Sequence, residues 1–155
     1  MEIEILGIGG GLGLGEPTTS IRVGHQALLD AGSGVERLAV EDLTSLRRVY
    51  LTHAHADHVS ALPLLVETLF ESASVEALEI LALPEVLAVL REHIFNRQIW
   101  PDFEKIPKLE EGFLRFVEVS PDREILDPAG FKVVPFETEH GIPSCGYAVC
   151  FESGK

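Results

Sequence analysis

Arg48-Val49-Tyr50-Leu51-Thr52-His53-Ala54-His55-Ala56-Asp57-His58 is the stretch on which the fold turns. Its first five residues include β-branched and aromatic side chains suited to a buried strand. That strand runs directly into His53-x-His55-x-Asp57-His58, so four ligand-type side chains begin where it ends. With six His and six Asp in 155 residues, this pattern arises by chance in about one sequence in three thousand. Imidazole suits Zn²⁺ and other first-row divalent ions, and a carboxylate tolerates harder ions such as Mn²⁺ or Mg²⁺. Four ligands within six residues crowd a single ion. A tight turn would aim His53 and His55 at one ion and Asp57 and His58, opening a helix, at a second. Paired ions of that kind clamp the attacking and leaving oxygens of a hydrolysis. A histidine-rich turn holding no metal is the bland alternative.

Outward from this motif, strands and helices interleave. Glu2 to Ile5 alternate as a first strand, interrupted by glycines at 7, 9, 10, 11, 13 and 15. Ser20-Ile21-Arg22-Val23, a Gly24-His25 turn and Ala27-Leu28-Leu29-Asp30 read as a hairpin, with His25 exposed in its turn. A short helical piece is expected around Val40 to Leu46. Val59, Leu62, Val66, Leu69 and Phe70 recur at helical spacing and predict one amphipathic helix from His58 to Glu71. Leu78 to Leu83 suits a strand, and Pro84 opens a helix through Ile94. Trp100-Pro101 and Ile106-Pro107 predict an irregular excursion from Asn96 to Pro107. Strands are expected over Phe113–Val119, Phe131–Phe136 and Gly146–Phe151. The pattern is one layered α/β unit.

Composition narrows the function. The chain has 46% hydrophobic residues and a net charge of −13, so it folds around a core and repels polyanions. A nucleic-acid partner held by general electrostatics is therefore disfavoured. No apolar run reaches the roughly 18 residues of a membrane span, and the acidic start does not suit a secretory signal, which together predict a cytoplasmic protein. Cys145 and Cys150 lie an odd number of residues apart, on opposite faces of a strand, and read as reduced packing residues.

A third ligand is needed for the first ion. His140, in Glu139-His140-Gly141-Ile142-Pro143 just past a strand, is the best candidate, because strand-end loops are where α/β layers build sites. Asp30, ending its strand before Ala31-Gly32, either accepts a hydrogen bond from a ligand histidine or caps its own turn. The glycine stretch matches neither dinucleotide nor phosphate-loop spacing, and reads as a turned loop near the site or as a direct phosphate contact. His93 and Trp100 are candidates for contacting substrate, Trp100 and Phe103 by stacking on a base. Alternatively His93 is a surface residue, and the aromatics anchor the excursion or form a contact in a homo-oligomer.

These residues resemble the metallo-β-lactamase superfamily, and within it the bacterial class II cyclic-nucleotide phosphodiesterases, with ribonuclease Z more distant. The resemblance rests on residues 51–58, on Leu29-Asp30-Ala31-Gly32-Ser33-Gly34, on Thr18-Thr19-Ser20 and on His140 to Tyr147. More narrowly, it rests on His93-Ile94-Phe95-Asn96 and Ile99-Trp100-Pro101-Asp102-Phe103. It implies an αβ/βα sandwich, with residues 1–155 supplying its N-terminal half to two-thirds. It further implies two divalent ions, Zn²⁺ first and Mn²⁺ or Fe²⁺ as alternatives. His53, His55 and His140 would hold one ion and Asp57 and His58 the other, with Asp57 also counted as catalytic. A metal-bound hydroxide would open a 3′,5′-cyclic nucleotide such as cAMP to a 5′-nucleotide. The family's metal-bridging Asp and last His have no counterpart before Lys155. Either the sequence is part of a longer protein or another chain completes the site. Hydrolysis of another phosphodiester, as in ribonuclease Z, and a non-catalytic metal-binding module are the alternative functions.

Overall fold

The computed structural model describes residues 2–11, 13, 15–72, 76–108 and 111–151; Leu12 and Leu14, within the glycine stretch, lie outside them. Strand β1 (Ile3–Gly7) pairs antiparallel with β2 (Ser20–Val23), and β2 with β3 (Ala27–Leu29). Gly24 takes φ 59° in the hairpin turn, a left-handed conformation that glycine adopts without a steric penalty. A 3₁₀ turn at Ser33–Arg37 and α1 (Val40–Ser45) lead to β4 (Arg48–Tyr50), which runs parallel to β3.

Beyond β4 come α2 (Ala56–Val59), α3 (Leu62–Glu71) and β5 (Leu78–Ala82), then α4 (Pro84–His93). The short ladder of β6 (Pro107–Lys108) and β7 (Glu111–Gly112) precedes β8 (Leu114–Glu118). Strands β3, β4, β5 and β8 are parallel, and the sheet order is β1-β2-β3-β4-β5-β8. Parallel neighbours require crossover connections, which the helices supply. A second sheet, ordered β11-β10-β9, is built from β9 (Ile125–Leu126), β10 (Phe131–Glu137) and β11 (Cys145–Phe151).

The large sheet is covered on both faces, which explains why its central strands read as apolar runs rather than as alternating ones. Val49 and Ile80 join the helix-side core with Leu65, Leu69, Val86 and Leu90. Their neighbours Tyr50 and Leu81 point the other way and join Phe131 and Val133 of the second sheet. Tyr147 ties the layers together, its hydroxyl donating to Leu51 O at 3.0 Å and Leu81 O at 3.2 Å.

Two expectations about local structure change. The single helix over His58–Glu71 is two helices, because Ala61 N–H donates to Ala31 O instead of continuing the helical ladder, and Pro63 supplies no N–H to restart it. The structure also adds β9, a two-residue strand paired with Val133 and Lys132 that no periodicity announces. Elsewhere the hairpin, β5, α4 and the three late strands fall where the sequence places them, within a residue or two at each end. Cys145 is buried and Cys150 exposed, both unpaired.

Candidate metal centre

The site forms at the carboxyl-end edge of the parallel strands, where β4 gives way to the His53 turn. Leu51 N–H still bonds Leu81 O, at 2.9 Å, so the backbone entering the motif is held by the sheet. His58 N–H then donates to His55 O at 2.9 Å, closing the turn that starts α2. The second sheet brings the distant piece: Cys145 N–H donates to Thr52 O at 3.0 Å, which docks the loop carrying His140 against the strand end.

His53, His55 and His140 converge there. Their nearest donor nitrogens all lie within 4.8 Å of one another, and His55 Nδ1 stands 3.2 Å from His140 Nε2. Two nitrogens bound tetrahedrally to one zinc stand about 3.3 Å apart. The donor set therefore fits a borderline divalent ion: three imidazoles, one buried and two exposed, with an open side. The His58 ring lies tilted against His53, centroids 4.1 Å apart, and its Nε2 lies 3.4 Å from Asp57 Oδ2. Asp57 and His58 thus form a neighbouring pair, and among the described residues they do not belong to a second convergent group of three.

Asp30 organises this cluster from below. The residue sits at φ 57°, a left-handed conformation that aspartate tolerates better than most side chains. Its Oδ1 accepts Thr52 N–H at 2.8 Å, and its Oδ2 lies 2.7 Å from His58 Nδ1. The Thr52 hydroxyl donates to Asp30 Oδ2 at 2.9 Å and is also 2.9 Å from His53 Nδ1. A hydroxyl whose proton is given to a carboxylate can only accept, so His53 carries its proton on Nδ1. One buried carboxylate thereby sets the tautomers of two histidines and leaves both Nε2 atoms free as ligands. Residue type alone gives Thr52 no role, although it carries the only hydroxyl among residues 51–58.

The electrostatics divide the histidines. Burial, with the adjoining His58, lowers the His53 imidazole from its ordinary 6.5 to about 4, so it is neutral and ready to ligate near pH 7. Burial opposes charge on His58 as well, but the hydrogen bond to Asp30 and the charges of Asp30 and Asp57 outweigh it and raise its pKa.

Glycine serves this site by allowing close approach. A Cβ on Gly32 would stand 2.3 Å from Asp57 O and 2.5 Å from Thr18 Oγ1, so no larger residue fits beneath the motif without displacing it. The glycine-rich loop also reaches the cluster, since a Cβ built on Gly10 would lie 3.7 Å from Asp57 Oδ2.

Two expected substrate contacts lie elsewhere. α4 leaves the site edge at Pro84 and runs back about 15 Å along the sheet. His93 therefore emerges at the opposite edge, exposed, with Glu92 3.9 Å away. Trp100 lies in the same region and packs on the helix-side core near Ile106, while Phe103 is buried against Phe70 and Phe113. Leu114 N–H bonds Phe103 O, fixing this excursion to the amino end of β8. Of the sequence candidates, the structure gathers His53, His55, Asp57, His58, His140 and Asp30, and leaves His93 and Trp100 apart from them.

The family described as cAMP phosphodiesterases class-II matches residues 37–141. The 3′,5′-cyclic-nucleotide phosphodiesterase 1 of Saccharomyces cerevisiae is 36% identical over 95 residues, covering 60% of this chain and 25% of that protein. Ribonuclease Z of Metallosphaera sedula is 32% identical over 156 residues, covering 96% and 48%. The chain thus spans half the length or less of these curated relatives. Among solved structures, the metallo-β-lactamase fold protein YhfI of Bacillus subtilis superposes with a TM-score of 0.68 at 17% identity, over 95% of this chain and 56% of that one.

Proposed function

This chain belongs to the class-II cAMP phosphodiesterase family and has the metallo-β-lactamase fold; from that premise we propose that it is a metal-dependent phosphodiesterase that opens 3′,5′-cyclic nucleotides to 5′-monophosphates. The observation that carries this reading is the convergence of His53, His55 and His140, from segments 85 residues apart, on one point at the sheet edge. His53, His55 and His140 would hold one divalent ion, with zinc the best fit to three imidazoles, and Asp57 and His58 would contribute to a second. Such ions, when bound, lower the pKa of water and neutralise charge developing on phosphate oxygens.

The remaining work falls to the chain's own groups. Asp30 and Thr52 hold protons on the Nδ1 atoms of His58 and His53, so each Nε2 presents a lone pair to the cluster. Asp57 contributes the carboxylate of the motif, next to the Gly10 backbone, which leaves room for a substrate oxygen. Gathering cations at one point also lets a chain of net charge −13 bind an anion locally. Two unpaired cysteines suit a reducing, cytoplasmic setting.

The test is direct. Protein loaded with zinc or manganese should convert cAMP to 5′-AMP, and a His55→Ala variant should lose turnover by at least a hundredfold. Full hydrolysis in that variant, or none in the loaded wild type, would refute the proposal. Similarity to ribonuclease Z over nearly the whole chain favours a second reading, hydrolysis of RNA phosphodiesters. The strongly acidic balance weighs against it, since RNA binding draws on clustered cations. Parallel assays on cAMP and on a tRNA precursor with a 3′ trailer separate the two.

A further inference from the structure

A cleft of about 430 Å³ opens at the carboxyl-end edge of the parallel strands, with walls from Leu83 and Pro84 at the start of α4, Ile142 and Pro143 in the His140 loop, and Glu85 and Glu137. Thr138 and Ser144, which also line it, join their hydroxyls at 2.7 Å across the mouth of the His140 loop. Its place follows from the topology. Leu83 continues β5 past the same sheet edge from which β4 delivers His53, and Ile142 and Thr138 stand two residues on either side of His140. The size lies within the range of small-molecule sites, about 300 to 1,000 Å³.

We infer that this cleft receives the nucleoside half of the substrate, while the phosphate lies at the histidines. The assignment rests on the phosphodiesterase reading for the phosphate alone; the chemistry of the cleft is independent of it. Glu85 and Glu137 repel a phosphate but accept hydrogen bonds from neutral donors, which a nucleoside supplies through ribose hydroxyls and base N–H groups. The two proline–aliphatic walls suit the faces of a base, since aromatic faces bury well against apolar side chains. The cavity at the opposite edge lacks this character. Four of its charges are already paired, Arg47 with Glu76 at 2.8 Å and Arg48 with Glu79 at 2.7 Å, and it lies at the amino ends of the strands, away from the histidines.

The assignment is tested by adenosine, which has no phosphate, added to ¹⁵N-labelled protein with and without zinc. Saturable shifts should appear at residues 83–85, 119–121 and 137–144, and inorganic phosphate should leave residues 83–85 and 119–121 unmoved. Ile142→Asp should weaken adenosine binding at least tenfold, and Glu85→Gln, a milder change on the opposite wall, at least threefold. Zinc titration of both variants confirms that the cluster is intact. The inference is overturned if adenosine gives no saturable shifts at millimolar concentration, if the shifts fall on the far-edge cavity instead, or if both variants bind as the wild type does. Saturable adenosine binding in a protein that turns over no cyclic nucleotide would sink the phosphodiesterase reading and leave the cleft assignment standing.

Discussion

Replacing Thr52 with valine keeps the shape of the side chain and deletes one hydroxyl, and the structure states what that hydroxyl does. It donates to Asp30 Oδ2 at 2.9 Å and accepts from His53 Nδ1–H at 2.9 Å. Without it, the nearly buried His53 keeps a ring N–H with no acceptor, which costs about 1–3 kcal/mol. Asp30 retains Thr52 N–H and His58, so its charge stays satisfied. The larger consequence falls on the metal, because His53 is then free to move its proton to Nε2 and lose its ligand lone pair. Losing an orienting hydrogen bond of this kind typically weakens metal binding about 10–100-fold, or about 1.4–2.8 kcal/mol. Zinc affinity is read by competition against a chromophoric chelator, and stability by urea unfolding of the metal-free protein. Thr52→Ser, which restores the hydroxyl, should recover most of the affinity. The reasoning is refuted if Thr52→Val binds zinc within twofold of wild type while its urea midpoint falls, for the hydroxyl would then serve packing alone.

Three further outcomes follow from the same geometry. His53 has a folded pKa near 4 against an unfolded 6.5, so between those values the unfolded chain binds the extra proton, and stability is lost as pH falls from 6.5 towards 4. The loss should be about 3 kcal/mol by pH 4, seen as a steeper pH dependence of the metal-free wild type than of His53→Asn; the raised pKa of His58 works in the opposite sense, favouring the fold at low pH and fading as pH rises. Tyr50→Phe removes a 2.7 Å hydrogen bond to the buried Asp127 at the far edge, which should destabilise the fold by about 1–3 kcal/mol without changing zinc affinity in the chelator assay. Trp100→Phe should leave the KM for cAMP unchanged and stability within about 1 kcal/mol, since the buried indole N–H makes no hydrogen bond that the change would break; a KM raised fivefold would return Trp100 to the substrate site.

What the sequence made legible was whatever depends on near neighbours. The 3.6-residue recurrence of Leu62, Val66 and Leu69 is the buried face of α3. The run from Arg48 to Thr52 reads as buried because it is covered on both sides. The motif from His53 to Asp57 needs only one turn to bring its ligands together. Harder to read were features that depend on where a chain goes after it leaves an element. The His58–Glu71 helix breaks because Ala61 N–H finds Ala31 O, a partner thirty residues upstream that no local pattern contains. Residue type points Trp100 and His93 to the site, yet the ten residues of α4 carry them to the other end of the sheet. A sequence records that helix's length but not that length's meaning until the strand beside it is known. β9, with only two residues, is too short to carry any periodicity.

The same distinction explains why the cluster sits where it does. A sheet buried on both faces offers no polar surface except at its edges, so ionisable groups collect in the loops that leave the strand ends. At this edge Asp30 directly follows β3, and Thr52 and His53 follow the adjacent parallel strand β4, whose register with β3 is fixed at Leu29 opposite Tyr50; His58, on α2, reaches Asp30 from there. A slip of one residue in that pairing would turn Tyr50 from the sheet–sheet core to the helices and carry Asp30 away from Thr52 N. The histidine tautomers are therefore set by the same ladder that buries Val49 and Leu28, and the site cannot be loosened without unpairing the core strands. His140 alone is held differently, through Cys145 N–H and the Tyr147 hydroxyl. Any adjustment of the cluster to its ion should therefore come from the His140 loop, the same loop that forms one wall of the adjacent cleft.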